Sequence, residues 1–96
     1  MLEVKDLVVE DKHFLGVRIS LPVAPLLLIK GGKGFVMCGY LNIEAVNHIG
    51  DAAAKVSGVN SFEDVLEAEV KAVSDKARAL GVQEGMSGAE ALVLLY

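Results

Sequence analysis

Pro25-Leu26-Leu27-Leu28-Ile29-Lys30-Gly31-Gly32-Lys33-Gly34-Phe35-Val36-Met37-Cys38-Gly39-Tyr40-Leu41-Asn42 is the stretch on which the fold turns. Two apolar runs of strand length, 26–30 and 35–40, flank a glycine-rich turn. Neither run alternates apolar with polar residues, which is the pattern of central strands covered on both faces. Gly31-Gly32-Lys33-Gly34 supplies the backbone freedom of a tight hairpin. A lysine among glycines also invites comparison with a phosphate-binding loop. That loop runs strand, Gly-x-x-x-x-Gly-Lys-Ser/Thr, helix, whereas Lys33 is followed by Gly34 and a second strand, so the hairpin turn is the better reading.

After Tyr40 the period becomes helical. Ile43, Val46 and Ile49 share a face, Asn42 is placed to cap the start and Gly50 to end it, giving about two turns. The next segment, 51–59, is ambiguous: three alanines favour helix, while the Gly50-Asp51 break and later valines allow a strand. A strand at 52–57 is the preferred reading, since the short helix then becomes the crossover between two neighbouring strands.

Working outward towards the amino end, 2–9 reads as a strand whose alternation slips at Asp6-Leu7, a possible bulge, before the turn Glu10-Asp11-Lys12. Over 14–21 the period of two is cleaner. It sets Leu15, Val17, Ile19 and Leu21 on one face and Gly16, Arg18 and Ser20 on the other, predicting a hairpin with one wet face. Pro22 and Pro25 interrupt the sheet, because proline has no donor for a ladder.

Towards the carboxyl end, Ser61 and Asp64 resemble a helix start. Phe62, Val65, Leu66, Val70, Val73, Ala77 and Leu80 then recur at helical spacing up to Gly81, as one helix or as two with a restart at Ser74-Asp75. Ser87-Gly88-Ala89-Glu90 forms a capping box opening a last helix with Ala91, Leu92 and Leu95 inward. The expectation is a single α+β domain over residues 1–96: a mixed, mostly antiparallel sheet of about four or five strands with helices packed on it.

At 96 residues, 53% hydrophobic, with mean hydropathy +0.49, the chain has more apolar material than a small sphere easily hides. A homo-oligomer is therefore expected. The net charge of -4 and pI near 5.0 argue against nucleic acid or an anionic membrane as the main partner. Residues 1–48 balance five basic against five acidic side chains, while 49–96 hold four against eight, so the excess acid belongs to solvated helix faces. A single cysteine, an amino end charged from Glu3, and a longest uncharged run of only eleven residues (19–29) point to a cytoplasmic chain without a signal peptide or membrane span.

Chemistry has one focus. Cys38 ends an apolar run just before a helix, where thiolate is favoured by the positive helix end, and Gly39 lets a ligand approach the backbone. Cys38 is the candidate nucleophile, with His48 or His13 as its base. The competing reading is a buried cysteine acting as a small hydrophobe. Gly39, Asn42 and Arg18, the last projecting from the polar face of its strand, are the candidate ligand-binding residues for a small molecule. Cys38, His48 and His13 lack the paired spacing of a zinc site, and no metal or cofactor is predicted. Two functions follow: a non-catalytic binding or assembly module forming a homo-oligomer, or a small thiol-dependent enzyme or redox sensor using Cys38.

The run from Phe35 to Asn42, with Gly50-Asp51-Ala52-Ala53, Phe62-Glu63-Asp64-Val65-Leu66 and Gly85-Met86-Ser87-Gly88-Ala89-Glu90-Ala91-Leu92, resembles the YunC-like family of small proteins of unknown function. The resemblance covers nearly the whole chain. Its hallmark Met-Cys-Gly step is met by Met37, Cys38 and Gly39, and its Gly-Met-Ser-Gly box by residues 85–88. It implies an α+β fold, a prokaryotic source and no established activity. Ala89 stands where the resemblance leads one to expect a basic residue, which weakens any anion-binding role there.

Overall fold

The computed structural model describes residues 2–96. Its six strands, β1 (Leu2–Val9), β2 (Lys12–Ile19), β3 (Leu26–Lys30), β4 (Phe35–Met37), β5 (Ala53–Lys55) and β6 (Ala72–Val73), lie side by side in chain order. Every neighbouring pair is antiparallel except β4 and β5, which run parallel. Helix α1 (Ile43–Ile49) makes the crossover between them, so the expected crossover unit is present. The class is α+β with a mixed sheet, one or two strands larger than the sequence suggested.

The additional strand is β6, which sits where helical spacing ran on from residue 62 to residue 80. Helix α2 (Phe62–Glu67) stops early because Ala68 turns to extended backbone. Ala54 then pairs with Val73 and Lys55 with Ala72. Ser74 ends this strand and starts helix α3 (Asp75–Ala79), so the Ser74-Asp75 restart is real. The Ser74 side chain is fully buried, and each of its hydrogen-bonding positions is used. Its Oγ accepts from Ala53 N (2.8 Å) and Ala77 N (3.3 Å) and donates to the Asp51 carbonyl (3.0 Å). One side chain thus joins β5, β6 and α3. Ser87 and Glu90 close the predicted capping box of helix α4 (Gly88–Leu94).

Helices α2, α3 and α4 cover the inner face of the sheet. Phe62, Val65, Ala77, Ala91 and Leu92 meet Phe14, Leu27, Ile29 and Val36 in the main core. On the outer face α1 covers only the β4–β5 end, where Val46 packs on Met37 and Ala53. Ile49, assigned to the apolar face of α1, is instead 75% exposed.

The second strand faces the opposite way from the sequence reading. Phe14 and Gly16 point into the core, while Leu15 and Ile19 are exposed and Val17 is half-buried on the outer face. Gly16 decides the matter, because a Cβ there would lie 2.8 Å from Phe62 Cε1 and 2.9 Å from Leu7 Cδ1. The glycine that looked like part of a wet face is the seat of a core phenylalanine. The expected bulge at Asp6-Leu7 is absent too: register runs unbroken from Leu2↔Ile19 to Val9↔Lys12. Glu10 and Asp11 make the connecting turn, both at positive φ (49° and 67°), the twist-matched geometry of two-residue hairpins.

The turn after β3 binds the chain's own backbone. Gly32 N donates to Tyr96 O (2.8 Å), and Lys33 N (2.9 Å) and Gly34 N (3.2 Å) donate to Leu95 O. Side chains at 31, 32 or 34 would collide with carbonyl oxygens at 2.3–2.6 Å. The glycines allow close approach to a carboxyl-terminal strap, and the amides a phosphate would need are already occupied.

Candidate functional site

Beyond Met37 the β4 chain leaves the sheet while β3 continues beside it. Cys38 holds the junction with two hydrogen bonds to Leu27: its N–H donates to Leu27 O (3.1 Å) and its Sγ accepts from Leu27 N (3.3 Å). The sulfur completes the ladder where a carbonyl would ordinarily do so. Cys38 is 3% exposed. The chain then turns through Gly39 and Tyr40, Leu41 N donating back to Cys38 O (3.2 Å). The Tyr40 hydroxyl donates to Ala24 O (3.1 Å), tying this turn to the loop before β3. On the parallel neighbour, Val56 N donates to Met37 O (2.9 Å), after which residues 57–60 swing away.

A cavity of about 320 Å³ opens where these segments diverge, lined by residues 24–25, 38–40 and 58–60. It lies at the carboxyl ends of the one parallel strand pair, the position where sheets with crossovers open crevices for ligands. Its volume is at the lower end of small-molecule sites, roughly 300 to 1,000 Å³. No carboxylate, histidine, lysine or arginine is among its lining residues.

The candidate residues divide into two groups. Cys38 and Gly39 are in the wall. Arg18 reaches the rim: its Nε donates to the carbonyl of lining residue Asn60 (3.4 Å) and its Nη1 to Ser20 Oγ (3.0 Å). Asn42 begins α1, its Oδ1 accepting from Glu44 N (2.7 Å) and Ala45 N (3.4 Å), so its carbonyl serves the cap. His48 is exposed in the last turn of α1, about 9 Å of helix rise beyond Asn42. His13 stands at the other end of β2 from Arg18, its Nδ1 2.8 Å from Asp6 Oδ2 on the exposed face. Neither histidine joins the cavity. Among the described residues, no three His, Cys, Asp or Glu side chains converge as a metal site.

Tyr40, Gly58, Val59 and Asn60 were not singled out in the sequence. They carry no motif, and their common signal is only that they follow the ends of two strands which become neighbours through a crossover.

The profile of the family described as "Domain of unknown function (DUF1805)" matches residues 37–95, beginning at the Met37-Cys38-Gly39 step. The chain belongs to this family. Over 97 residues it is 30% identical to the uncharacterized protein YunC of Bacillus subtilis (strain 168), covering 97% of this chain and 96% of that protein. The crystal structure of a protein of unknown function, TA1206 from Thermoplasma acidophilum, superposes with a TM-score of 0.95 at 36% identity, covering all of this chain and 94% of the other. Membership of DUF1805 fixes the fold and relatives, and none of these descriptions states an activity. No helix among the described residues is long and apolar enough to cross a membrane.

Proposed function

We propose that this protein is a non-catalytic assembly module of the cytoplasm, whose copies pair through the outer face of β1, β2 and β3. The observation that carries this reading is the reversal of β2. Leu2, Val4, Val8, Leu15 and Ile19, between 36% and 61% exposed, share that face. Their register joins them to half-buried Val17 and Leu28, with the exposed Asp6–His13 pair set among them near the hairpin turn.

The exposed area is on the order of 500 Å² per copy, at the upper end of what a monomer usually presents. Two copies together supply roughly 1,000 Å², where specific interfaces begin. A second copy suits this surface because two-fold pairing sets the aliphatic side chains of one face against those of the other. Stacked sheets pack about 10 Å apart, so side chains from two such faces can interleave with α1 as a flanking ridge. Light scattering on a sizing column should return about twice the 10.1 kDa chain mass. Leu15→Lys should return a monomer with unchanged circular dichroism, and a wild-type monomer at micromolar concentration would overturn the reading.

The thiol-dependent alternative keeps one supporting observation, the place of Cys38 in the cavity wall. With no histidine or carboxylate among the lining residues it lacks a base, and assembly is the better supported function. Alkylation of Cys38 followed against pH separates the two: a thiol-dependent enzyme requires reaction in the folded state well below the roughly 8.5 of free cysteine.

A further inference from the structure

We infer that the cavity beside Cys38 binds a small molecule with an apolar body and a carboxylate head, with Arg18 and the loop amides holding the head. The wall is largely apolar, built from Ala24, Pro25, Val59 and the Cys38 thiol, with no charged side chain among the lining residues. Backbone donors without acceptors flank this wall. The N–H groups of Gly39 and Tyr40 on one side, and of Gly58 and Val59 on the other, have no hydrogen-bond acceptor among the described residues. Consecutive free N–H groups of this kind favour an oxygen ligand with negative charge.

The charge is supplied at the rim. Arg18 uses its Nε–H and one Nη1–H on Asn60 and Ser20, leaving three of the five guanidinium donors without a protein acceptor. Among the described residues it forms no ion pair. A planar fork with free donors matches a carboxylate better than any neutral head. Two acids lie in the same region. Glu3 is opposite Arg18 in the β1–β2 register, and Asp64 Oδ2 accepts from Asn60 N at 3.0 Å. Asp64 is thus engaged with backbone, while Glu3 opposes a bound anion. The volume of about 320 Å³ limits the ligand to a short chain or a single ring.

Hexanoate and its uncharged analogue hexanamide, titrated into the full chain and followed by amide chemical shifts, test the assignment. Hexanoate should give saturable shifts at Gly39, Tyr40, Gly58 and Val59, and hexanamide should bind about tenfold or more weakly, the loss expected for a charge-assisted hydrogen bond. Arg18→Gln should reduce hexanoate to the level of hexanamide, and Glu3→Gln should tighten it. Gly39→Val should weaken binding of both: a Cβ at residue 39 meets only Ser57 Cβ, at 3.8 Å, so the fold tolerates the added bulk on a residue of the cavity wall. Absence of saturable shifts at those amides, or equal affinity for acid and amide, overturns the inference. If Arg18→Gln fails to fold, the acid-against-amide comparison on the unmodified chain still decides it. None of these outcomes bears on pairing through the outer face, which mass measurement tests separately.

Discussion

Ser74 and Gly88 are single residues on which neighbouring elements depend. Removing the Ser74 hydroxyl leaves the N–H groups of Ala53 and Ala77 and the Asp51 carbonyl without their partner. Ser74→Ala should therefore cost about 2 to 3 kcal/mol, the loss of a cap together with buried unsatisfied groups, measured as a lower urea midpoint with unchanged slope. At Gly88 a Cβ would sit 2.0 Å from the Val65 carbonyl oxygen. Gly88→Ala must push α4 away from α2, and destabilisation of about 3 kcal/mol is expected in the same assay. Arg78 and Glu84 illustrate the opposite case. Their bidentate pair, at 3.0 and 2.7 Å, holds the Glu84 carboxyl below its ordinary range chiefly through the side-chain hydrogen bond. A depressed folded-state pKa stabilises above the unfolded value and is lost as pH falls through the folded one. Both groups are solvent-exposed and screened, so Glu84→Gln should only slightly flatten the acid limb of a stability profile below about pH 4.5, with added salt removing the difference.

At the scale of elements, the β1–β2 hairpin has an unusual distribution of polarity. Glu3, Lys5 and Arg18 lie on the side of the sheet that carries the core, beyond the helices' cover, while Leu2, Val4, Val8, Leu15 and Ile19 face outward beside Asp6 and His13. The charges keep β1 from being a bare edge, since edge strands invite pairing with other chains and charged side chains discourage it. The proposed pairing is through the face instead of the edge. Val4→Lys, 58% exposed in the single chain, should separate the copies without unfolding them. The reversal of β2 also makes Gly16 a structural requirement. Gly16→Ala should displace the Phe62 ring and lower the midpoint of thermal unfolding by several degrees, as expected when about 1 to 3 kcal/mol is lost from a domain of this size.

For the whole molecule, the sheet carries two separate surfaces on which the proposed pairing and ligand binding rest. The outer face of β1–β3 is available to another copy, and the cavity lies at the end of the sheet where β4 and β5 diverge. If folding and pairing are linked, the thermal midpoint should rise with protein concentration, by mass action, and Leu15→Lys should remove that dependence while lowering the midpoint itself only at high concentration.

What the sequence determined by itself was local. The central hairpin, the crossover helix with its Asn42 cap and Gly50 stop, the Ser87–Glu90 capping box and the Ser74 restart were all legible, because each depends on residues within a few positions of one another. Cys38 and Gly39 were legible as a place of interest for the same reason. Tertiary structure alone decided which face of β2 is buried, because period two names two faces without choosing between them. The choice fell to Gly16, whose missing side chain admits Phe62 from forty-six residues away. It also decided that Val70 and Val73 leave the helix: their spacing suited one, but Ala54 offered Val73 a strand partner, and Met86 and Gly85 offered Val70 backbone partners, that no local pattern contains. The cavity arose in the same manner, from three loops brought together by strand order, and the glycine turn became a seat for Leu95 and Tyr96 only when the far end of the chain reached it.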